Sequence, residues 1–96
     1  MRRHRPEPFS SLLQQYLRLE GLETPLQEYR VVQAWPQVAG EAISRYTGQV
    51  FVRDGQLHVQ IKSAPLRQNL SMQQTILTRR LNEYVGGTVI SAIRFF

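Results

Sequence analysis

The chain has 96 residues, 42% of them hydrophobic, no cysteine and a net charge of +5. A chain this short makes one domain with a small core, and without thiols it has neither disulfides nor thiolate metal sites. No run approaches the roughly 18 apolar residues of a membrane span, and the basic start MRRHRPEP is not followed by the apolar core of a signal peptide, so the sequence reads as a soluble cytoplasmic protein.

All but one of the 12 basic residues are arginine, the exception being Lys62. Arginine makes planar, bidentate contacts to phosphate and carboxylate. A GC-rich genome gives the same bias, so charge alone does not separate a nucleic-acid binder from an ordinary basic domain.

Residues 1–8 read as a mobile basic arm, with Arg2, Arg3, His4 and Arg5 ahead of Pro6 and Pro8. Residues 9–96 read as a single α+β domain. Phe9, Leu12, Leu13, Tyr16 and Leu17 recur at helical spacing and predict an amphipathic helix ended by Gly21. Thr24-Pro25-Leu26-Gln27 is a second helix start, with threonine as cap, proline at the first helical position and glutamine placed for a capping box. Its apolar residues are Val31, Trp35, Val38, Ala39, Ala42, Ile43 and Tyr46, which makes Trp35 a packed anchor. Pro36 disfavours helical geometry at Trp35 and predicts a kink or break there. Gly40 ends the segment, and Glu41 opens a short further piece.

Asp54-Gly55 is a hairpin signal, because a type I′ turn needs positive φ at both central residues. With those residues as the turn, Arg53 faces Gln56, Val52 faces Leu57, Phe51 faces His58 and Val50 faces Val59. Val50, Val52, Leu57, Val59 and Ile61 then share the face to be covered. Phe51, Arg53, Gln56, His58, Gln60 and Lys62 share the other.

Ser63 is a cap for a single long helix with Pro65 in its first turn, ended by Gly86-Gly87. Leu66, Leu70, Leu77, Leu81 and Tyr84 form its apolar stripe, flanked by Met72, Ile76 and Val85. Thr88 to Phe96 reads as a last strand. Its two sides, Val89, Ile93 and Phe95 against Ile90, Ala92, Arg94 and Phe96, leave the buried face open. The order predicts a three-stranded sheet with a β-hairpin and helices covering one face. The last strand, reached by a helical crossover, is able to lie parallel to one of the first two.

Catalytic chemistry is not visible. His58 stands alone on the polar strand face, Asp54 is explained by the turn, and the glutamates fall singly. There is no metal-ligand spacing and no phosphate-binding GxxxxGK[ST] loop. The sequence reads as a non-enzyme with no cofactor, no metal and no small-molecule substrate. Phe51 among Arg53, His58 and Lys62, joined by Arg94 and Phe96 if the last strand presents them, follows the logic of sheets that stack bases and hold phosphates. A solvated face carrying one exposed phenylalanine, or a docking surface for a protein, fits the same residues. On the nucleic-acid reading the contacts are Arg2, Arg3 and Arg5 of the arm, Phe51, Arg53 and Lys62 of the hairpin, and Arg67, Arg79 and Arg80 of the long helix. Trp35, Gly40, Asp54, Gly55, Leu57, Val59 and Leu70 are structural.

Trp35-Pro36-Gln37-Val38-Ala39-Gly40 resembles the W-x-x-hydrophobic-x-G segment of the bacterial domain family that includes DciA, an ATPase-independent operator of the replicative DNA helicase. Ile43 and Thr47, Asp54-Gly55-x-Leu57-x-Val59, Ser63 with Leu70, Leu81-Asn82, Gly86 and Ile93 follow in the family's order, so the resemblance spans the chain from Phe9. It implies a KH-like fold and a DNA-replication accessory that binds DNA, weakly and with tolerance of sequence, and/or the replicative helicase, without hydrolysing nucleotides. The phosphate-clamping GxxG of KH domains does not occur in the sequence. A protein-interaction module without nucleic-acid affinity is the alternative.

Overall fold

Asp54 and Gly55 take φ of 54° and 73°, the two positive values that a type I′ turn demands. They join β1 (Thr47–Arg53) to β2 (Gln56–Ile61) in the expected register: Arg53 opposite Gln56, Val52 opposite Leu57, Phe51 opposite His58 and Val50 opposite Val59. The ladder slips once, between Thr47 and Val50. There the Gln49 N–H is met by Gln60 Oε1 at 3.0 Å. A Cβ at Gly48 would collide with that same amide, so the bulge is built around a glycine.

The computed structural model describes residues 23–96. The basic arm and the helix expected over Phe9–Leu17 lie outside the described residues. The further elements are α1 (Glu23–Ala39), α2 (Glu41–Ser44), α3 (Ala64–Met72), α4 (Gln74–Val85) and β3 (Ala92–Phe95). The three strands form one sheet in the order β1-β2-β3. β3 runs parallel to β2, with Leu57 level with Ile93 and His58 level with Arg94. That pairing settles the face left open by the pattern: Ile93 is buried while Arg94 and Phe96 are exposed.

The helices among the described residues cover only the other face. Between them and the sheet lie Val31, Ala34 and Trp35 of α1, Leu57, Val59 and Ile61 of β2, Leu70, Leu77 and Leu81 of α3 and α4, and Ile90 and Ile93. Val50 and Val52, half-buried on the edge strand, pack against this core. The result is an α+β fold, a three-stranded mixed sheet with its helices on one face. Among the described residues no helix is long and apolar enough to cross a membrane.

Three expected boundaries move. The strand expected over Thr88 to Phe96 is confined to Ala92–Phe95, since the Val89 and Ile90 N–H groups are taken by Asn82 Oδ1 instead of a neighbouring strand. Pro36 was expected to kink or break its helix, yet α1 runs through it to Ala39. Proline removes a single ladder donor, the one due to Val32, while buried Val31, Ala34 and Trp35 hold the same turns against the core. The break falls instead at Gly40, whose φ of 93° favours glycine; its N–H still closes the last turn on Pro36 O at 3.0 Å.

The single long helix after Ser63 is in fact two, parted at Gln73 (φ −107°, ψ 10°). The stripe Leu66, Leu70, Leu77, Leu81 has Gln73 and Gln74 where its middle turn needs apolar groups, so that turn has nothing to bury. Met72 is accordingly 81% exposed, and Tyr84, expected on the stripe, is 60% exposed. Gln74 serves the sheet instead, its Oε1 accepting the Ile93 N–H at 3.2 Å. The outer boundaries hold. Ser63 Oγ accepts the Leu66 N–H at 3.4 Å, and Gly86 closes α4 in the left-handed conformation.

Candidate nucleic-acid interface

The outer face of the sheet carries an aromatic cluster bordered by arginines. Across the β1–β2 pair, the Phe51 and His58 rings stack with centroids 4.9 Å apart and planes within 2°. Phe96, 45% exposed, meets Phe51 edge-on at 6.0 Å. The Arg53 guanidinium lies 5.7 Å from the Phe51 centroid, in cation–π range. Exposed Arg94 stands level with His58 on β3. Each residue arrives here by strand alternation: with Leu57, Val59 and Ile93 turned into the core, their neighbours must face out.

Of the residues expected to contact nucleic acid, Phe51 and Arg53 are brought together on this face. Lys62 is exposed just past the end of β2. Arg67 is half-buried, and its guanidinium donates to the Ile61 carbonyl, so it ties α3 to the end of β2. Arg79 and Arg80 are exposed on α4, in the helical layer rather than on the sheet face. Arg2, Arg3 and Arg5 lie outside the described residues. His58, expected on this face beside Phe51 but not among the nucleic-acid contacts, stacks on the phenylalanine ring. Its register position opposite Phe51 was the signal that it would stack.

A second set of polar contacts closes the fold. Trp35 Nε1–H donates to Thr47 Oγ1 at 3.2 Å, and the Thr47 hydroxyl donates to the Ile43 carbonyl at 3.0 Å. Asn82 clamps the loop ahead of β3: Nδ2–H donates to Ile90 O at 2.9 Å, and Oδ1 accepts the Val89 and Ile90 N–H groups at 3.0 and 3.1 Å. Trp35, Ile43, Thr47 and Asn82 are among the positions on which the resemblance was read, and here each serves the architecture.

Comparison with known families supports that reading. The family described as Dna[CI] antecedent, DciA, matches residues 8–95. The chain belongs to the DciA family. A UPF0232 protein of Rhodococcus jostii (strain RHA1) is 29% identical over 89 residues, which cover 93% of this chain and 47% of the relative. The chain therefore spans about half the length of that relative. The DciA match takes in the whole described fold, from α1 to β3, together with the expected N-terminal helix. The Trp35–Thr47 and Asn82 contacts and the outer sheet face, except for Phe96 one residue past the match, are thus parts of the DciA domain.

Proposed function

We propose that this DciA-family chain is a non-enzymatic, cytoplasmic DNA-replication accessory that holds DNA on its outer sheet face and engages the replicative helicase. The observation that carries the DNA half is the Phe51–His58 stack with Phe96 beside it and Arg53 and Arg94 at its borders. Every base offers a π-face, so such a platform binds without regard to sequence, and arginines beside it meet the phosphates. The stack is short, and the affinity is correspondingly weak. Membership of the DciA family supplies the setting, a helicase that the protein influences through binding energy alone.

The DNA half is tested by titrating single- and double-stranded oligonucleotides across a salt series. With about three to five phosphates neutralised, log K against log[salt] is expected to fall with a slope near −2 to −4. Arg53→Glu should weaken binding and flatten the slope, and Phe51→Ala should weaken binding while leaving the slope in place. Folded protein that shifts neither oligonucleotide at about 50 mM salt removes the DNA half. For the helicase half, the purified chain is titrated by calorimetry against the replicative helicase of the same organism. Absence of heat at tens of micromolar, about −6 kcal/mol, leaves an interaction module for a different protein.

A further inference from the structure

The two edges of the sheet are finished differently. In the order β1-β2-β3 each outer strand has one neighbour among the described residues. On β3, Phe96 faces β2: its N–H donates to Val59 O at 3.0 Å and its carbonyl accepts the Ile61 N–H at 2.8 Å. Alternate residues of β3 therefore turn their backbone groups outward. Ile93 is one of these, and Gln74 Oε1 takes its N–H at 3.2 Å, which blunts that edge. On β1 the hairpin fixes what faces out. Arg53 and Gln56 flank a two-residue turn as a hydrogen-bonded pair, so Phe51 and His58 form the next such pair. Val50 and Val52 then point N–H and C=O away from β2.

The side chains constrain what can meet that edge. Val50 and Val52 lie on the core face, where Tyr29 and Val32 of α1 flank them across a groove, and Tyr29 is 61% exposed. Phe51 and Arg53 lie on the outer face. An incoming strand needs apolar groups at two positions of one face, an apolar or aromatic group between them on the other, and no cation opposite Arg53. β1 itself meets every condition. Run antiparallel about a two-fold axis at Phe51, it sets Val50 against Val52, Phe51 against Phe51 and Gln49 against Arg53 of the second copy. Both Val50–Val52 pairs fall where backbone groups point outward, so each exchanges two hydrogen bonds. The bulge before Val50 ends the pairing on one side and Arg53 on the other. The same patch serves both copies, so the assembly closes at two.

We propose that β1 pairs with β1 of a second copy of this chain, joining two three-stranded sheets into one across a two-fold axis. The contact is short, and the dimer is correspondingly weak. On the outer face the two Phe51–His58 stacks meet at the axis and form one longer platform, with an Arg53 from each copy beside it. In that last respect alone the inference rests on DNA binding by the sheet face.

The chain has no cysteine, so one introduced thiol reports one contact. A non-hydrogen-bonded antiparallel pair has Cα atoms about 4.5 Å apart, within reach of a disulfide. Phe51→Cys is therefore expected to link to itself under mild oxidation at least about tenfold faster than Arg80→Cys, exposed on α4. Arg53→Cys, two residues along β1, is expected to link no faster than Arg80→Cys. In the unaltered chain, sedimentation equilibrium should show a mass rising toward two chains with concentration. Val52→Pro removes an outward N–H and no bond to β2, and should weaken association about tenfold or more. Unchanged association of Val52→Pro would place the contact elsewhere and overturn the proposal; should that variant not fold, the cross-linking rates decide. Self-linking of Arg53→Cys as fast as that of Phe51→Cys would overturn it too. So would Phe51→Cys no faster than Arg80→Cys, or a chain still monomeric at about 1 mM, which would leave the edge to residues 1–22 or to another protein. All of these are measured without DNA, so loss of the DNA reading leaves the dimer standing, and loss of the dimer leaves the DNA reading.

Discussion

Val59→Asp is expected to remove a large part of the domain's stability, while His58→Asp, one residue away, leaves most of it in place. Val59 lies on the central strand with none of its surface exposed, level with Val50 on one side and Phe95 on the other. An aspartate there either carries an unpaired charge into the core or stays protonated with no hydrogen-bond partner. The cost is about 3–5 kcal/mol, against a total stability of about 5–15 kcal/mol for a domain. His58 faces outward, and its substitution removes the stack on Phe51, worth about 0.5–1.5 kcal/mol. At about 4–8 °C per kcal/mol in a domain of this size, thermal melting separates the two variants widely. Similar melting temperatures would mean that the sheet is paired one residue out of register.

That contrast could be drawn from the sequence because two independent signals agree at the hairpin. Asp54-Gly55 fixes the turn, and a slip of one residue would send Leu57, Val59 and Ile61 to solvent. Where a single signal acted, the reading was partial. The last strand has apolar groups on both sides, so its face was decided by pairing with β2, which sets Ile93 beside Leu57. Pro36 is a strong local breaker, but burial of its neighbours outweighs one lost hydrogen bond. At Gln73 no breaker exists, and the division of the helix follows from a polar gap in an otherwise good stripe.

The candidate site shows the same limit. Strand alternation placed Phe51 and Arg53 together, since a strand's faces are fixed by counting. The side of α4 from which Arg79 and Arg80 project depends on how that helix lies on the sheet, which periodicity does not record. Arg67 looked like one more exposed cation, and only the nearby Ile61 carbonyl explains its guanidinium.

Trp35→Ala should approach Val59→Asp in severity, for a different reason. The indole is 1% exposed and tilts against the Phe95 ring at 5.8 Å and 52°. Through Nε1 it reaches Thr47, and through the Thr47 hydroxyl the Ile43 carbonyl. One side chain thus joins α1 to the start of β1, the end of β3 and the short helix α2. Truncation leaves a cavity at the meeting point of these elements and should cost about 3–5 kcal/mol. Trp35→Phe keeps most of the volume, and Thr47 keeps its bond to Ile43, so the loss there is mainly one indole hydrogen bond, about 1 kcal/mol, plus the remaining void. Because Trp35 is the chain's single tryptophan, its emission reports on this site alone. It should be blue-shifted in the native protein and move to the red in denaturant, at the same midpoint as far-UV circular dichroism. Native emission already at the exposed position would put the indole outside the core. Equal destabilisation by Phe and Ala would show that the hydrogen bond to Thr47, and not the filled volume, makes Trp35 the anchor of the fold.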